Sequence, residues 1–118
     1  MITVMAFLLF VASAPLAADD VSGVWDLEMS WTANSHSTGV CTFKQDGEKL
    51  SGDCGGTDKF PITGDVNGKK VTWRMDVQQN GNKGTMTFAG VLDDARTTVK
   101  GSCSIVGGQE GTFTMKKR

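Results

Sequence analysis

The sequence predicts an all-β chain folded as an eight-stranded antiparallel up-and-down β-barrel. Three observations carry that expectation. The stretch from Gly23 to Trp31 alternates strictly, with Trp25, Leu27, Met29 and Trp31 on one face and Asp26, Glu28 and Ser30 on the other. Successive side chains of a strand point to opposite sides, so this is a strand with one buried and one wet face. Turn signals then recur at short intervals to the C-terminus, and no stretch after residue 20 holds a helical period. The connections are short enough that consecutive strands pair as hairpins, which leaves no long crossover for a Greek key and favours a meander over a sandwich. Closing the meander also removes its two exposed edges.

The elements follow in order. Strand one covers about residues 23–31 and is followed by a polar loop, Thr32-Ala33-Asn34-Ser35-His36-Ser37. Strand two is expected at about 39–45 and strand three at about 49–54, with a four-residue loop from Asp46 to Lys49 between them. Gly55-Gly56-Thr57-Asp58 leads into strand four, about 59–66. Asn67-Gly68 is the strongest two-residue hairpin signal in the chain, because both residue types accept positive φ. Strand five covers about 70–78, and Asn80-Gly81-Asn82 turns it into strand six, about 84–92. Asp93-Asp94-Ala95-Arg96 precedes strand seven, about 97–105, and Val106-Gly107-Gly108 precedes strand eight, about 109–117.

Residues 1–18, MITVMAFLLFVASAPLAA, are uncharged and apolar and end in small residues, the pattern of a secretory signal peptide cleaved after Ala18. Residues 19–118 then form a single barrel domain, exported to the periplasm or the extracellular space, with no membrane insertion after processing. That domain carries all 12 basic and 13 acidic residues, interspersed, for a net charge of −1. Such a balance offers no electrostatic footprint for nucleic acid. Of the three cysteines, an exported protein is expected to pair two. Cys41 and Cys54 flank the hairpin of strands two and three, and its register sets them directly opposite one another, within reach of a disulfide. Cys103 is left as a small buried apolar residue.

Alternation sorts the remaining side chains. Trp25, Leu27, Met29, Trp31, Phe43, Leu50, Ile62, Trp73, Met75, Phe88, Val99, Phe113 and Met115 are expected inside, with Phe60, Val77, Met86 and Ile105. Charged and hydroxyl side chains such as Asp26, Glu28, Arg74, Asp76, Thr87 and Lys100 are expected outside. The expected interior is apolar almost throughout.

The Gly23-x-Trp25 opening of strand one resembles the start of the lipocalin and avidin-like barrels, the calycins. Phe43-Lys-Gln-Asp-Gly-Glu-Lys-Leu-Ser-Gly52, the segment from Ile62 to Trp73, Thr85-Met-Thr-Phe-Ala-Gly90 and Gly111-Thr-Phe-Thr-Met115 are similar in order and spacing to small bacterial secreted barrels of this type. The resemblance spans about residues 22–116 and implies a lipocalin-like architecture. Within it, an avidin likeness would imply biotin binding, but the chain has no tyrosine and Trp31 stands elsewhere than an avidin tryptophan. A likeness to the periplasmic barrel inhibitors of metalloproteases would imply an exported protease as partner, engaged by the segment before strand one. Here that segment is the short Asp19-Asp20-Val21-Ser22.

Enzymatic readings find little to stand on. His36 is the single histidine and falls in a polar loop, and the paired carboxylates Asp19-Asp20 and Asp93-Asp94 fall in turns or the N-terminal segment. One histidine and three cysteines at these spacings match no zinc pattern, and no cofactor is expected. In a meander, alternate loops share an end, so one mouth of the barrel carries the loops near residues 32–38, 55–58, 78–82 and 106–108. The inward residues beside it are Trp31, Phe60, Val77, Met86 and Ile105, an aromatic, aliphatic and methionine wall suited to a small apolar ligand. Eight-stranded barrels lie where side chains either fill the interior or leave room for one small molecule. A non-enzymatic binder of such a ligand is the expected function; a protease inhibitor or a filled structural barrel is the alternative.

Overall fold

Short turns leave each strand its two sequence neighbours as pairing partners, and the computed structural model shows that arrangement carried through to closure. It describes residues 20–31, 35–79, 81–106 and 108–118. The expected signal peptide at 1–18, Asp19, loop residues Thr32 to Asn34, Asn80 and Gly107 lie outside the described residues. The strands are β1 (Gly23–Trp31), β2 (Ser35–Asp46), β3 (Lys49–Gly55), β4 (Lys59–Asn67), β5 (Lys70–Gln79), β6 (Asn82–Leu92), β7 (Thr98–Ile105) and β8 (Glu110–Lys117). Each pairs antiparallel with the next, and β1 pairs with β8 to close the barrel.

Three boundaries differ from expectation. β2 begins at Ser35 rather than Gly39, because Trp31 pairs with Ser35 and the ladder runs through His36, Ser37 and Thr38. These residues are exposed on both faces, so the backbone pairs there without any apolar alternation to announce it. The β2–β3 turn is the two residues Gly47-Glu48, since Asp46 pairs with Lys49, and Gly47 takes a left-handed φ of 64°. The register is nonetheless the expected one, with Gln45 opposite Leu50 and Cys41 opposite Cys54. β6 starts at Asn82, two residues early, by pairing Asn82 with Gln79 and Lys83 with Gln78.

The core is layered. At its centre Trp73 stacks on Phe88 with ring centroids 4.6 Å apart. Phe43 and Phe113 meet Trp73 edge-on at 5.1 and 5.3 Å. Offset stacks and edge contacts of this kind are the preferred geometries of aromatic rings. Room for so many rings in a narrow barrel comes from glycine on the facing strand: Phe43 lies opposite Gly52, Trp73 opposite Gly64 and Phe113 opposite Gly101. A Cβ at Gly64 would overlap the Thr72 carbonyl oxygen and Trp73 itself, so the glycine is required by the close approach of β5.

One end of the barrel is sealed. Val21, Trp25, Val66, Val71 and Leu92 are all at most 1% exposed there. Backbone hydrogen bonds lace neighbouring turns together: Val66 N–H donates to Glu48 O, Leu92 N–H to Lys69 O and Lys117 N–H to Thr97 O. The N-terminal residues complete the seal. Val21 N–H donates to Gln45 Oε1 at 2.7 Å, Gln45 N–H donates to Ser22 Oγ, and the indole N–H of Trp25 donates to Val21 O at 2.9 Å. Val21, Cys54, Val66, Val71 and Leu92 extend the core beyond the inward residues named from the sequence. The Cys41–Cys54 disulfide is formed and wholly buried, and Cys103 is free and buried.

Candidate ligand site at the barrel mouth

Alternation along β1, β4, β5 and β7 carries apolar side chains inward beyond the central aromatic layer, towards the end opposite the seal. Trp31, Phe60, Val77 and Ile105, with Met29, pack against the core but remain half-buried. Met86, the fifth residue expected there, is deeper and 8% exposed. Register ties the group together: Met86 lies opposite Met75 and Ile105, and Val77 lies opposite Gly84. Trp31 lies opposite Gly111, and its ring rests on that strand: a Cβ at Gly111 would come within 3.0 Å of the Trp31 Cε3 atom. Gly84 is different, because a Cβ there would meet Ile105 and Val77 methyl groups at 3.7 and 3.9 Å, ordinary contact distances. Position 84 therefore has room for a Cβ that Gly64, in the central layer, lacks.

The arrangement is a set of half-buried apolar side chains over a packed core. The ionisable side chains Asp76 and Lys83 are exposed nearby and border an open depression that Val77 and Gly84 also line. A broader groove crosses the outer wall over Thr72, Thr87, Ala89 and Ser102, with Leu50, Trp73 and Phe88 also on its lining. The described inward side chains at this end are apolar.

The other candidate residues are accounted for locally. His36 stands on β2 opposite Ser30, with Ser30 Oγ 3.2 Å from its Nδ1 on an exposed face. That contact was hidden in the sequence, where His36 fell in a loop. Burial pushes the Cys103 thiol above its ordinary range, which keeps it protonated and unreactive. Asp93 accepts from the backbone N–H groups of Thr97 and Thr98, and these hold its carboxyl below the usual range. Asp20 is lowered by the Ser22 N–H in the same way. No group of three or more potential metal ligands occurs among the described residues.

No family model matches the chain, and no curated protein does. Among solved structures, a redesigned β-barrel aligns with a TM-score of 0.58 over 83% of this chain and 91% of its own, at 19% identity. The likeness is one of fold. It agrees with the closed eight-stranded meander and carries no ligand or activity with it.

Proposed function

We propose that the protein is an exported, non-enzymatic carrier of a small apolar ligand, held in the mouth of a lipocalin-like barrel of calycin type. The observation that carries this reading is the asymmetry of the two ends. Inward apolar residues are covered completely at one end, yet Trp31, Phe60, Val77 and Ile105 at the other are left half-covered. Apolar surface left uncovered at one end of a barrel is stabilised by an occupant that removes it from water. A site walled by aromatic, aliphatic and methionine side chains selects for size and apolarity rather than charge.

The protease-inhibitor reading has less support. It needs a free segment before β1, whereas Val21 is 0% exposed and Val21 and Ser22 are tied to Gln45 and Trp25.

Gly84→Phe tests the carrier reading. A Cβ at this position meets only the Ile105 and Val77 methyl groups, at 3.7 and 3.9 Å, so the backbone admits a side chain and the ring would project among the mouth residues. Binding of neutral aromatics and short-chain lipids, followed by Trp31 fluorescence, is expected in the wild type and lost in the variant, with thermal unfolding nearly unchanged. Absence of binding by the wild-type protein across the panel would overturn the reading.

A further inference from the structure

The three tryptophans differ in one respect that bears on what the mouth accepts. Trp25, in the seal, donates its indole N–H to Val21 O. Trp73 is 3% exposed, and its Nε1 has no hydrogen-bond partner; among the described residues it is the single buried side-chain nitrogen or oxygen in that position. Its neighbours are the rings of Phe43, Phe88 and Phe113, which offer at best the weak acceptor of an aromatic face. A buried donor left without an acceptor costs about 1–3 kcal/mol, so a native interior seldom keeps one without a use.

The side chains between this indole and the mouth are of a movable kind. Met75 stands two residues nearer the mouth on the same face of β5, directly opposite Met86, and Met29 lies opposite Phe113 on β1. Methionine is unbranched and rotates among conformers at low cost, so a layer built on it repacks around an entering group where valine or isoleucine would resist.

Resting on the carrier reading, we infer that Trp73 is the polar anchor of the site and that the ligand is a neutral apolar molecule with one hydrogen-bond acceptor, a carbonyl or ether oxygen, at its leading end. The apolar body lies against the half-buried side chains of Trp31 and Phe60. The acceptor passes between Met75 and Met86 and takes the Trp73 N–H. A carboxylate is excluded, because the interior holds no buried charged or polar residue among those described to balance it.

The test compares two probes of nearly equal shape, 2-acetylnaphthalene and 2-ethylnaphthalene. The ketone is expected to bind the wild-type protein about tenfold more tightly, the ratio set by one well-made buried hydrogen bond. Its binding is expected to shift the Trp73 indole N–H resonance downfield, while the hydrocarbon leaves that resonance nearly in place. Trp73→Phe is expected to bring the affinity ratio close to one, and it also assigns the resonance. Equal binding of both probes with an unmoved Trp73 resonance overturns this inference while leaving the carrier reading intact. Failure of both probes to bind overturns the two together. The resonance measurement uses the wild-type chain, so the outcome does not depend on the variant folding.

Discussion

Asp93 shows how much one exposed side chain can do in a barrel of tight turns. Its carboxylate accepts from the N–H groups of Thr97 and Thr98 at 2.9 and 3.1 Å, while its own carbonyl accepts from Arg96, which sits at a left-handed φ of 62°. The donors hold the folded carboxyl below its usual value of 3.8. A depressed folded pKa means stability that is present above the unfolded value and lost as the pH falls through the folded one. Asp93→Asn keeps an acceptor oxygen but removes the charge. The variant is therefore expected to be less stable than the wild type at pH 7, with the gap closing below about pH 4. Urea unfolding at pH 7 and pH 3 measures it. A gap unchanged at pH 3 would mean that the shape of the side chain matters and its charge does not.

At the scale of elements, the β2–β3 hairpin carries the clearest energetic consequence. The Cys41–Cys54 bond closes a loop of sequence separation 13 across directly opposed positions. Constraining the unfolded chain over that length is worth about 3 kcal/mol in the chain-entropy model. Replacing both cysteines by alanine is expected to lower the unfolding free energy by about that amount without changing the barrel, as read from urea midpoints. The same hairpin shows why its register could be read from sequence although its turn could not. A two-residue turn and a four-residue loop centred on Gly47-Glu48 preserve the same pairing, so the cysteines stay opposed in either case. Where alternation was absent the reading stopped. The first residues of β2, Ser35 to Thr38, are exposed on both faces and looked like loop. Val66 and Val71 were in phase with Ile62 and Trp73, so their burial was available from parity alone. Val21 gave no such signal, because it precedes the strand and its place depends on Gln45, distant in sequence. Trp73 was legible as an inward residue, while its unpartnered N–H depends on which rings surround it in three dimensions.

For the whole molecule, the carrier proposal assigns stability to one end and binding to the other, and that division can be tested directly. The sealed end joins Val21, Trp25, Val66, Val71 and Leu92 into one fully covered cluster and ties successive turns by backbone hydrogen bonds. Removing two methyl groups there by Val21→Ala is expected to cost about 1.5–2 kcal/mol, the transfer term plus a small cavity. Ligand affinity at the opposite end is expected to stay within twofold. Trp31→Ala reverses the pattern. The indole is half-buried over Gly111, so under the carrier proposal its loss removes part of the ligand's wall while taking less from the folded core. A large fall in probe affinity with a smaller change in unfolding free energy is expected. Paired calorimetry and urea unfolding on the two variants measure both quantities on each protein. Should Val21→Ala weaken binding as much as Trp31→Ala does, the ends are coupled through the aromatic layer, and the mouth is not the independent site that the asymmetry of burial implies.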